Sequence, residues 1–359
     1  MSQLPVSPRG RASKSNDSGR FEALTHAAFD DGWDEDEPRP DRIDTTLTPE
    51  AARKIISRND SPDIGFDQSI NPYRGCEHGC IYCFARPSHA YVGLSPGLDF
   101  ETKLFFKPEA AKLLERELSR PSYRPSFIQL GANTDPYQPI EAKLRITRQI
   151  LEVLARFRHP VGVTTKNARV TRDIDILGPM AADNLAMVAV SVTTLDRKLA
   201  RAMEPRASTP ERRIEAIRQL SAAGVPTAVG FAPAIPGLND HELEAVLERA
   251  AEAGATTAYY TALRLPREIK DLFREWLEAE RPDRAARVMS LVRQMRGGKD
   301  YDPEWNKRMR GDGPIADLLS TRFHLACKKL NLNSRNRRKM DLTLFQIPAK
   351  ATNQLDLFG

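Results

Sequence analysis

Between residues 126 and 265 the sequence alternates short apolar runs, typical of buried strands, with amphipathic helical segments. Strand-like runs cover 126–133, 161–166, 185–194, 226–233 and 256–265, and an earlier strand lies near 69–71. Because parallel strands are joined by crossover helices, this order predicts an α/β fold with about six βα repeats. We therefore expect a partial (β/α)6 TIM-like barrel, with a doubly wound open sheet as the alternative.

The segments that flank this pattern differ in composition. Residues 1–60 include an acidic block over 30–41 and predict a flexible tail, ahead of a barrel domain at 61–265. Residues 266–340 are expected to form a helical basic extension, because 296–339 contain 12 Lys and Arg against 5 Asp and Glu. Residues 341–359 are predicted to form a C-terminal tail.

The overall composition excludes several classes of protein. Hydrophobic residues make up 40% of the 359 positions, which is enough for a packed core and excludes simple disorder. The sequence has no apolar run long enough for a transmembrane helix and no visible secretory signal, so we expect a cytoplasmic protein. The net charge of +6 is compatible with a nucleic-acid partner.

Three of the four cysteines, Cys76, Cys80 and Cys83, lie close together with C-x3-C-x2-C spacing. Thiolates clustered in this way suit zinc or an iron–sulfur cluster. A zinc site would need a fourth ligand, for which His78, His89 or Cys327 is available. Three ligands instead favour a [4Fe–4S] cluster that keeps one iron open to a small molecule.

Polar side chains follow several of the predicted strands. Asn133, Thr134 and Asp135 follow one strand, Lys166 ends the next, and Ser191 lies in the strand after that. Because catalytic groups of βα barrels gather at the carboxyl ends of the strands, we expect these residues to share one site.

The cysteine spacing, with Tyr82 directly before the last cysteine, resembles the signature of radical S-adenosylmethionine (SAM) enzymes. The segments at 131–141, 164–177, 191–213 and 229–240 are similar to the branch that contains spore photoproduct lyase and its bacterial relatives. The resemblance covers about residues 71–265 and implies the radical SAM type of partial barrel.

The resemblance implies a cofactor chemistry. Cys76, Cys80 and Cys83 would hold a [4Fe–4S] cluster whose open iron chelates the amino and carboxylate groups of SAM. An external reductant would supply the electron that splits SAM into methionine and a 5′-deoxyadenosyl radical, which abstracts hydrogen from the substrate.

The resemblance also implies cofactor-binding residues. Tyr82 would lie near the adenine, and the Asn133, Thr134 and Asp135 segment near the methionine amino group. Lys166 would meet the carboxylate, and Ser191 would lie on the ribose or carboxylate side.

The sequence departs from this branch in one respect. Spore photoproduct lyases carry a cysteine near the second-strand motif that serves as hydrogen donor, and residues 130–139 contain none. Either Cys327 or a tyrosine such as Tyr137, Tyr259 or Tyr260 takes that role, or the reaction is not photoproduct reversal.

Two motifs near the C-terminus suggest macromolecular partners. Gln354, Leu355, Leu357 and Phe358, within QLDLF, resemble the peptide by which bacterial DNA-repair proteins bind the replication sliding clamp. The alternative is that this peptide packs on its own barrel. A basic group precedes this peptide and comprises Arg335, Arg337, Arg338 and Lys339. Its positive charge could contact nucleic-acid phosphate, and the alternative is that it is only solvated surface.

Together these features predict a radical SAM enzyme, lyase-like, that acts on nucleic acid in a DNA-repair-like role. One alternative is a radical SAM enzyme that modifies RNA or a protein. The other is a zinc-stabilised DNA-binding or clamp-associated protein with no enzymatic activity.

Overall fold

The computed structural model describes residues 8–22, 42–334 and 340–348. Its strands are β1 Thr46–Pro49, β2 Ile56–Arg58, β3 Gln68–Ile70, β4 Tyr73–Arg74, β5 Lys103–Phe106, β6 Ile128–Leu130, β7 Val161–Thr165, β8 Ala186–Ser191, β9 Thr227–Ala234 and β10 Thr257–Ala262. Its α-helices are α1 Leu98–Thr102, α2 Ala110–Leu118, α3 Glu141–Leu144, α4 Ile146–Arg156, α5 Ile174–Ala182, α6 Arg197–Met203, α7 Pro210–Ala222, α8 Leu243–Glu252, α9 Ile269–Glu280, α10 Pro282–Gln294, α11 Lys307–Arg310 and α12 Pro314–Lys329.

The main sheet is a partial barrel, which confirms the predicted fold class. Its strand order is β10-β9-β8-β7-β6-β3-β2, and every pair is parallel except the antiparallel pair of β2 and β3. The strands β3, β6, β7, β8, β9 and β10 are therefore the six parallel strands of a (β/α)6 arrangement. Within the described ranges β10 and β2 form the open edges of this sheet.

Apolar residues alternate along these strands and divide the barrel into two faces. Val161, Val163, Val188 and Val190 are buried against the surrounding helices in the main core. The residues between them face the barrel interior, where Gln129 donates to Thr164 Oγ1 at 3.1 Å. Because strand neighbours are in register, Ser191 and Gly230 belong to one inner layer.

The N-terminal region packs on the barrel in its described parts, whereas the sequence predicts a flexible tail over 1–60. Residues Arg11, Ala12 and Ser13 are buried. Strand β1 pairs with β5 in a second, three-stranded sheet of order β1-β5-β4. The sequence does not reveal this packing, because the region is held by backbone hydrogen bonds to buried acceptors, and such bonds leave no apolar pattern.

The region that follows the barrel is helical, from α9 to α12. In the described part of the chain no helix has the length and apolar character needed to cross a membrane. Residues 340–348 return to the barrel, where Phe345 stacks on Phe157 with ring centroids 6.3 Å apart. The predicted phosphate-binding group (Arg335, Arg337, Arg338 and Lys339) and the clamp peptide (Gln354, Leu355, Leu357 and Phe358) lie outside the described residues.

Candidate active site

The three clustered cysteines lie on the loop between β4 and a 3-10 helix at Arg86–Val92. Gly75 and Gly79 give this loop its shape, with φ of +76° and +65°. A Cβ at Gly75 would lie 2.6 Å from Leu104, and one at Gly79 would lie 2.7 Å from the Glu101 carboxylate. Only glycine therefore fits both the backbone conformation and the space at these positions.

Arg86 holds the cysteine loop from within the protein. Its fully buried guanidinium donates to Cys80 O at 2.9 Å and to Gly79 O at 3.0 Å. It also donates to Pro96 O and Gly97 O, and pairs with the buried Glu101 carboxylate at 2.5 Å. A single side chain thus satisfies five acceptors around the loop, a number that matches the five donors of arginine.

An N-terminal strap, residues 8–17, covers this pair. Ala12 N donates to Glu101 Oε2 at 3.1 Å, and Ser13 N donates to Glu101 Oε1 at 3.0 Å. Arg11 reaches Glu101 O at 2.7 Å, and Lys14 forms an ion pair with Glu280 of α9. The strap therefore completes the hydrogen bonding of a carboxylate that lies directly beneath the cysteine loop.

The chemistry of the three thiols fits a metal cluster. Cys83 packs against the small apolar group that contains Cys76 and also against the one that contains Cys80. Burial raises the pKa of all three thiols. Backbone N–H groups act in the opposite direction: those of Ala85 and Arg86 lower the pKa of Cys83, and that of Asp135 lowers the pKa of Cys76. Amide donors aimed at sulfur stabilise thiolates, the form that binds metal.

The zinc alternative fits this geometry less well. Zinc needs its ligand atoms around a single point, whereas the thiolates of a cluster bind separate irons. Of the candidate fourth ligands, His78 lies 3.3 Å from Asp135 through Nδ1 and 3.1 Å from Asn167 Nδ2 through Nε2. His89 lies 2.9 Å from Lys103 O through Nε2, and Cys327 lies on α12.

Lys166 and Ser191 meet at the mouth of the barrel, as the strand order predicts. Lys166 Nζ donates to Ser191 Oγ at 2.6 Å and to Ala232 O at 3.0 Å. Its ammonium also lies 3.5 Å from Glu204 Oε1 and 5.6 Å from the centroid of the Tyr82 ring. Burial lowers the pKa of Lys166 to about 8, against an opposing effect from Cys80.

Tyr82 is held in place by a buried group of polar residues. Its hydroxyl donates to Glu204, which also accepts from Thr193 Oγ1 at 2.6 Å. Glu204 is fully buried and pairs with the buried Arg213 of α7, whose guanidinium also donates to Ser191 O at 3.1 Å. The Glu204–Arg213 pair therefore joins Tyr82 to the strand that carries Ser191.

Asp135 braces the carboxyl end of β7 against the cysteine loop. Its carboxylate accepts from Thr165 Oγ1 at 2.7 Å and from Lys166 N at 2.7 Å. It also accepts from Tyr137 N, and it lies 3.3 Å from His78 Nδ1 on the cysteine loop. The carboxylate is thus occupied by protein donors, and direct contact between Asp135 and a ligand amino group stays a prediction.

The two residues before Asp135 differ in exposure. Asn133 is exposed, and its backbone N–H donates to Asn71 Oδ1 at 2.9 Å. Thr134 is buried, and its hydroxyl donates to Tyr73 O at 3.0 Å. Asn133 therefore offers a side chain toward solvent, whereas Thr134 holds the loop in place.

The structure places the predicted hydrogen donors in different parts of the molecule. Tyr137 is fully buried, and its hydroxyl donates to Asp173 at 2.9 Å. Cys327 is buried on α12 beside Asn333, and burial raises its pKa to about 11. Tyr260 packs on Phe323 of the same helix. Neither Tyr137 nor Cys327 is brought to the mouth of the barrel.

Tyr259 differs from these candidates because it faces the barrel interior. It pairs with Gly230 of β9, which in turn pairs with Ser191 of β8. A Cβ at Gly230 would lie 2.5 Å from the Tyr259 ring, so the ring covers that glycine. Its hydroxyl bonds the side chain of Thr164, and burial raises its pKa.

Comparisons with known proteins identify the family of this chain. Residues 70–250 match the family model of the Radical SAM superfamily. The chain is 36% identical over 249 residues to an uncharacterised protein of Mycobacterium tuberculosis (strain H37Rv), covering 69% of this chain and 72% of that protein. It is 26% identical over 191 residues to an uncharacterised protein of Methanocaldococcus jannaschii, covering 53% and 68%.

Two solved structures share the fold. One is a point mutant of spore photoproduct lyase, with a TM-score of 0.55, 14% identity and 79% of both chains covered. The other is spore photoproduct lyase complexed with dinucleoside spore photoproduct, with a TM-score of 0.53, 13% identity and coverage of 79% and 78%. At these identities the likeness concerns the fold.

Proposed function

Because the chain belongs to the radical SAM superfamily and is therefore an enzyme, we propose that it cleaves SAM and acts on nucleic acid in a DNA-repair-like, lyase-type reaction. Cys76, Cys80 and Cys83 would hold a [4Fe–4S] cluster that, once reduced by an external reductant, would supply the electron for this cleavage. The observation that carries the proposal is the convergence of the cysteine loop, Tyr82 and Lys166 at one end of the barrel.

Lys166 is suited to hold the carboxylate of SAM. A buried ammonium has lost much of its hydration, so an incoming carboxylate restores a favourable partner. The hydroxyl of Ser191 and the carbonyl of Ala232 fix the position of Nζ before any ligand binds. Fixing the cation in advance lowers the entropic cost of binding.

Tyr82 and Asn133 supply the remaining predicted contacts. The hydroxyl of Tyr82 is held by Glu204, so the ring keeps one orientation against which an adenine can pack. The exposed amide of Asn133 serves the polar end of the cofactor. Thr134 and Asp135 act through the protein, by holding the loop and the end of β7.

We assign the hydrogen-donor role to Tyr259 rather than to Tyr137 or Cys327. Tyr259 lies on the inner face of the barrel in the layer of Gly230 and Ser191, whereas the other two lie in closed surroundings away from it. A phenolic O–H that passes its hydrogen atom to a substrate radical becomes a tyrosyl radical, which the external reductant returns to tyrosine by supplying one electron with uptake of a proton.

Nucleic acid is the substrate class that the fold and charge favour. The spore photoproduct lyase structures that share this fold include one complexed with a dinucleoside photoproduct. This support is an analogy at the level of fold, and the net charge of +6 agrees with it. RNA or a protein substrate would use the same cofactor residues, so binding and turnover must decide among them.

The first test is 5′-deoxyadenosine formation by anaerobically purified, iron-reconstituted protein given SAM and a strong reductant. We expect product from the wild type and none from Cys76→Ala or Cys83→Ala. The matched control is Cys327→Ala, which removes a buried thiol on α12 and leaves the loop intact. Wild-type protein that binds zinc, or holds a full cluster without cleaving SAM in the presence or absence of DNA, refutes the proposal.

The sliding clamp stays a proposed partner through Gln354, Leu355, Leu357 and Phe358. Deletion of 354–359 is expected to abolish binding to an immobilised bacterial clamp and to leave SAM cleavage unchanged. Retained clamp binding refutes this role. Phosphate contact by Arg337 needs a separate titration with DNA, in which Arg337→Ala should reduce the slope of log K against log salt.

A further inference from the structure

An exposed aromatic ring lies directly beside the cysteine loop. Phe84 follows Cys83, and its side chain is 42% exposed. The Arg264 guanidinium lies over this ring, 4.9 Å from its centroid. Arg264 follows the end of β10 by two residues, so the stack lies at the carboxyl end of the barrel strands, on the same side as Lys166. The Phe84 ring is therefore accessible at the end of the barrel where a substrate would enter, rather than packed in the core.

Arg264 has no counter-ion among the residues that the structure describes. Within the part of the chain that the structure describes, no carboxylate lies within ion-pair distance of Arg264, and its buried Nε has no hydrogen-bond partner. Its one polar contact there is from Nη1 to Met309 Sδ at 3.5 Å, which is weak. A guanidinium left in this state retains the capacity to bind an anion.

A seam segment, residues 300–310, supports the stack at the open edge of the barrel. Arg308 pairs with the buried Asp63, in the turn before β3, at 2.5 Å. On the other side Arg296 donates to Leu263 O at 2.7 Å and to Lys307 O at 2.6 Å. The segment thus bridges the two edges of the sheet and carries Met309 to Arg264.

We propose that Phe84 and Arg264 form a platform that binds one nucleotide of a single-stranded or extruded nucleic-acid substrate. The free face of the Phe84 ring stacks on the base, and Arg264 pairs with a phosphate. The combination suits a nucleotide because that unit carries a planar ring and an anion at a short fixed separation. This inference rests on the proposed function, for which it names the substrate-binding residues.

The test is fluorescence anisotropy of a short fluorescein-labelled single-stranded DNA of mixed sequence, titrated with the full-length reconstituted protein. Phe84→Ala is expected to weaken binding about five- to a hundredfold, the range for losing one stacked base. Arg264→Gln should weaken binding at low salt and reduce the slope of log K against log salt by about 0.7, the value for one single-strand phosphate contact.

Tyr91→Ala is the matched control, because Tyr91 is a more exposed ring that also lies near an arginine, but that arginine, Arg20, is paired with the Glu268 carboxylate. We expect its DNA affinity to equal that of the wild type. Iron content and circular dichroism confirm that each variant is folded. Equal loss of affinity in Tyr91→Ala, no loss in Phe84→Ala, or a wild type that does not bind the DNA overturns the platform.

The two proposals fail in distinguishable ways. Protein that binds DNA through Phe84 but never forms 5′-deoxyadenosine refutes the proposed reaction and keeps the platform. If the protein forms 5′-deoxyadenosine but Phe84→Ala and Arg264→Gln leave its DNA affinity unchanged, only the platform is refuted. The platform is also refuted if Phe84→Ala and Arg264→Gln weaken the binding of a peptide more than they weaken the binding of DNA.

Discussion

Replacing Arg86 by lysine tests how the cysteine loop is held. The guanidinium makes five hydrogen bonds, to Cys80 O, Gly79 O, Pro96 O, Gly97 O and the Glu101 carboxylate. A lysine ammonium has three donors on a single atom, so at least two of the five acceptors lose their partner. The positive charge beside Glu101 is kept, which isolates the effect of geometry from that of charge.

The expected loss follows from these contacts. Hydrogen bonds that involve a charged group contribute about 1.5–3 kcal/mol each, so two lost bonds lower the free energy of unfolding by about 3 kcal/mol or more. That is a large share of the roughly 5–15 kcal/mol by which domains are stable. In urea denaturation of the apoprotein, the midpoint should fall by on the order of 1 M.

The control is Arg116→Lys, since the Arg116 guanidinium is exposed and makes one backbone contact, to Arg53 O at 3.0 Å. We expect a change within about 0.5 kcal/mol for that variant. Iron content after reconstitution gives a second readout, because two of the five acceptors of Arg86, Cys80 O and Gly79 O, are carbonyls of the cysteine loop itself. An Arg86→Lys protein with the wild-type midpoint and full iron content would refute the reasoning.

Three further changes test other parts of the site. Cys80→Ala should lose iron and all SAM cleavage, measured by iron analysis and 5′-deoxyadenosine formation; retained cleavage would contradict the ligand assignment. Lys166→Gln should weaken SAM binding at least about tenfold, by loss of a charged hydrogen bond, while iron content stays at the wild-type level; unchanged affinity in equilibrium dialysis would remove Lys166 from the site. His159, whose pKa burial lowers to about 4, should make the fold acid-sensitive. The unfolded chain takes up this proton near pH 6.5 and the folded chain does not, so the free energy of unfolding falls by up to about 3 kcal/mol as pH drops from 6.5 to 4. His159→Gln should flatten that part of the stability curve, and an unaltered curve would contradict the assignment.

The strand and helix pattern was predictable wherever one face of an element is apolar. The run at 161–166 corresponds to β7, Val161–Thr165, and the helical periodicity at 145–158 corresponds to α4, Ile146–Arg156. Both elements bury alternating or i, i+4 apolar residues against the same core. The start of a helix is less predictable, as at α8, Leu243–Glu252, which a 3-10 turn at Asp240–Glu242 precedes.

The N-terminal region could not be predicted in this way. Strand β1 is mostly exposed, so its residues carry no alternation of apolar and polar side chains. The strap is ordered by main-chain donors at Ala12 and Ser13, which every non-proline residue possesses. Their acceptor, Glu101, is far along the chain, and a polar sequence gives no sign that this carboxylate will be buried.

Within the site, spacing and strand position revealed the residues that project into the barrel mouth, but not those that hold them. Cys76, Cys80 and Cys83 follow from spacing alone, and Lys166 and Ser191 meet because neighbouring strands end together. Spacing and strand position do not mark Glu204 and Arg213, because these residues lie in a loop and a helix, where charged residues are normally solvated. One signal was available: Glu204 lies in the segment 191–213 that resembles the photoproduct lyase branch.

Two buried ion pairs hold the cysteine loop and its surroundings, and their contacts favour one arrangement of the site before a cofactor binds. Arg86 and Glu101 fix the loop from below, and Glu204 and Arg213 fix Tyr82 and the strand of Ser191. Buried pairs add little net stability, because desolvation offsets most of their attraction, but breaking one leaves a costly unpaired charge. Alternative arrangements of the loop and of Tyr82 are therefore strongly disfavoured. An enzyme that forms a radical needs this property, since a site that shifts by an ångström would admit water or misplace the substrate.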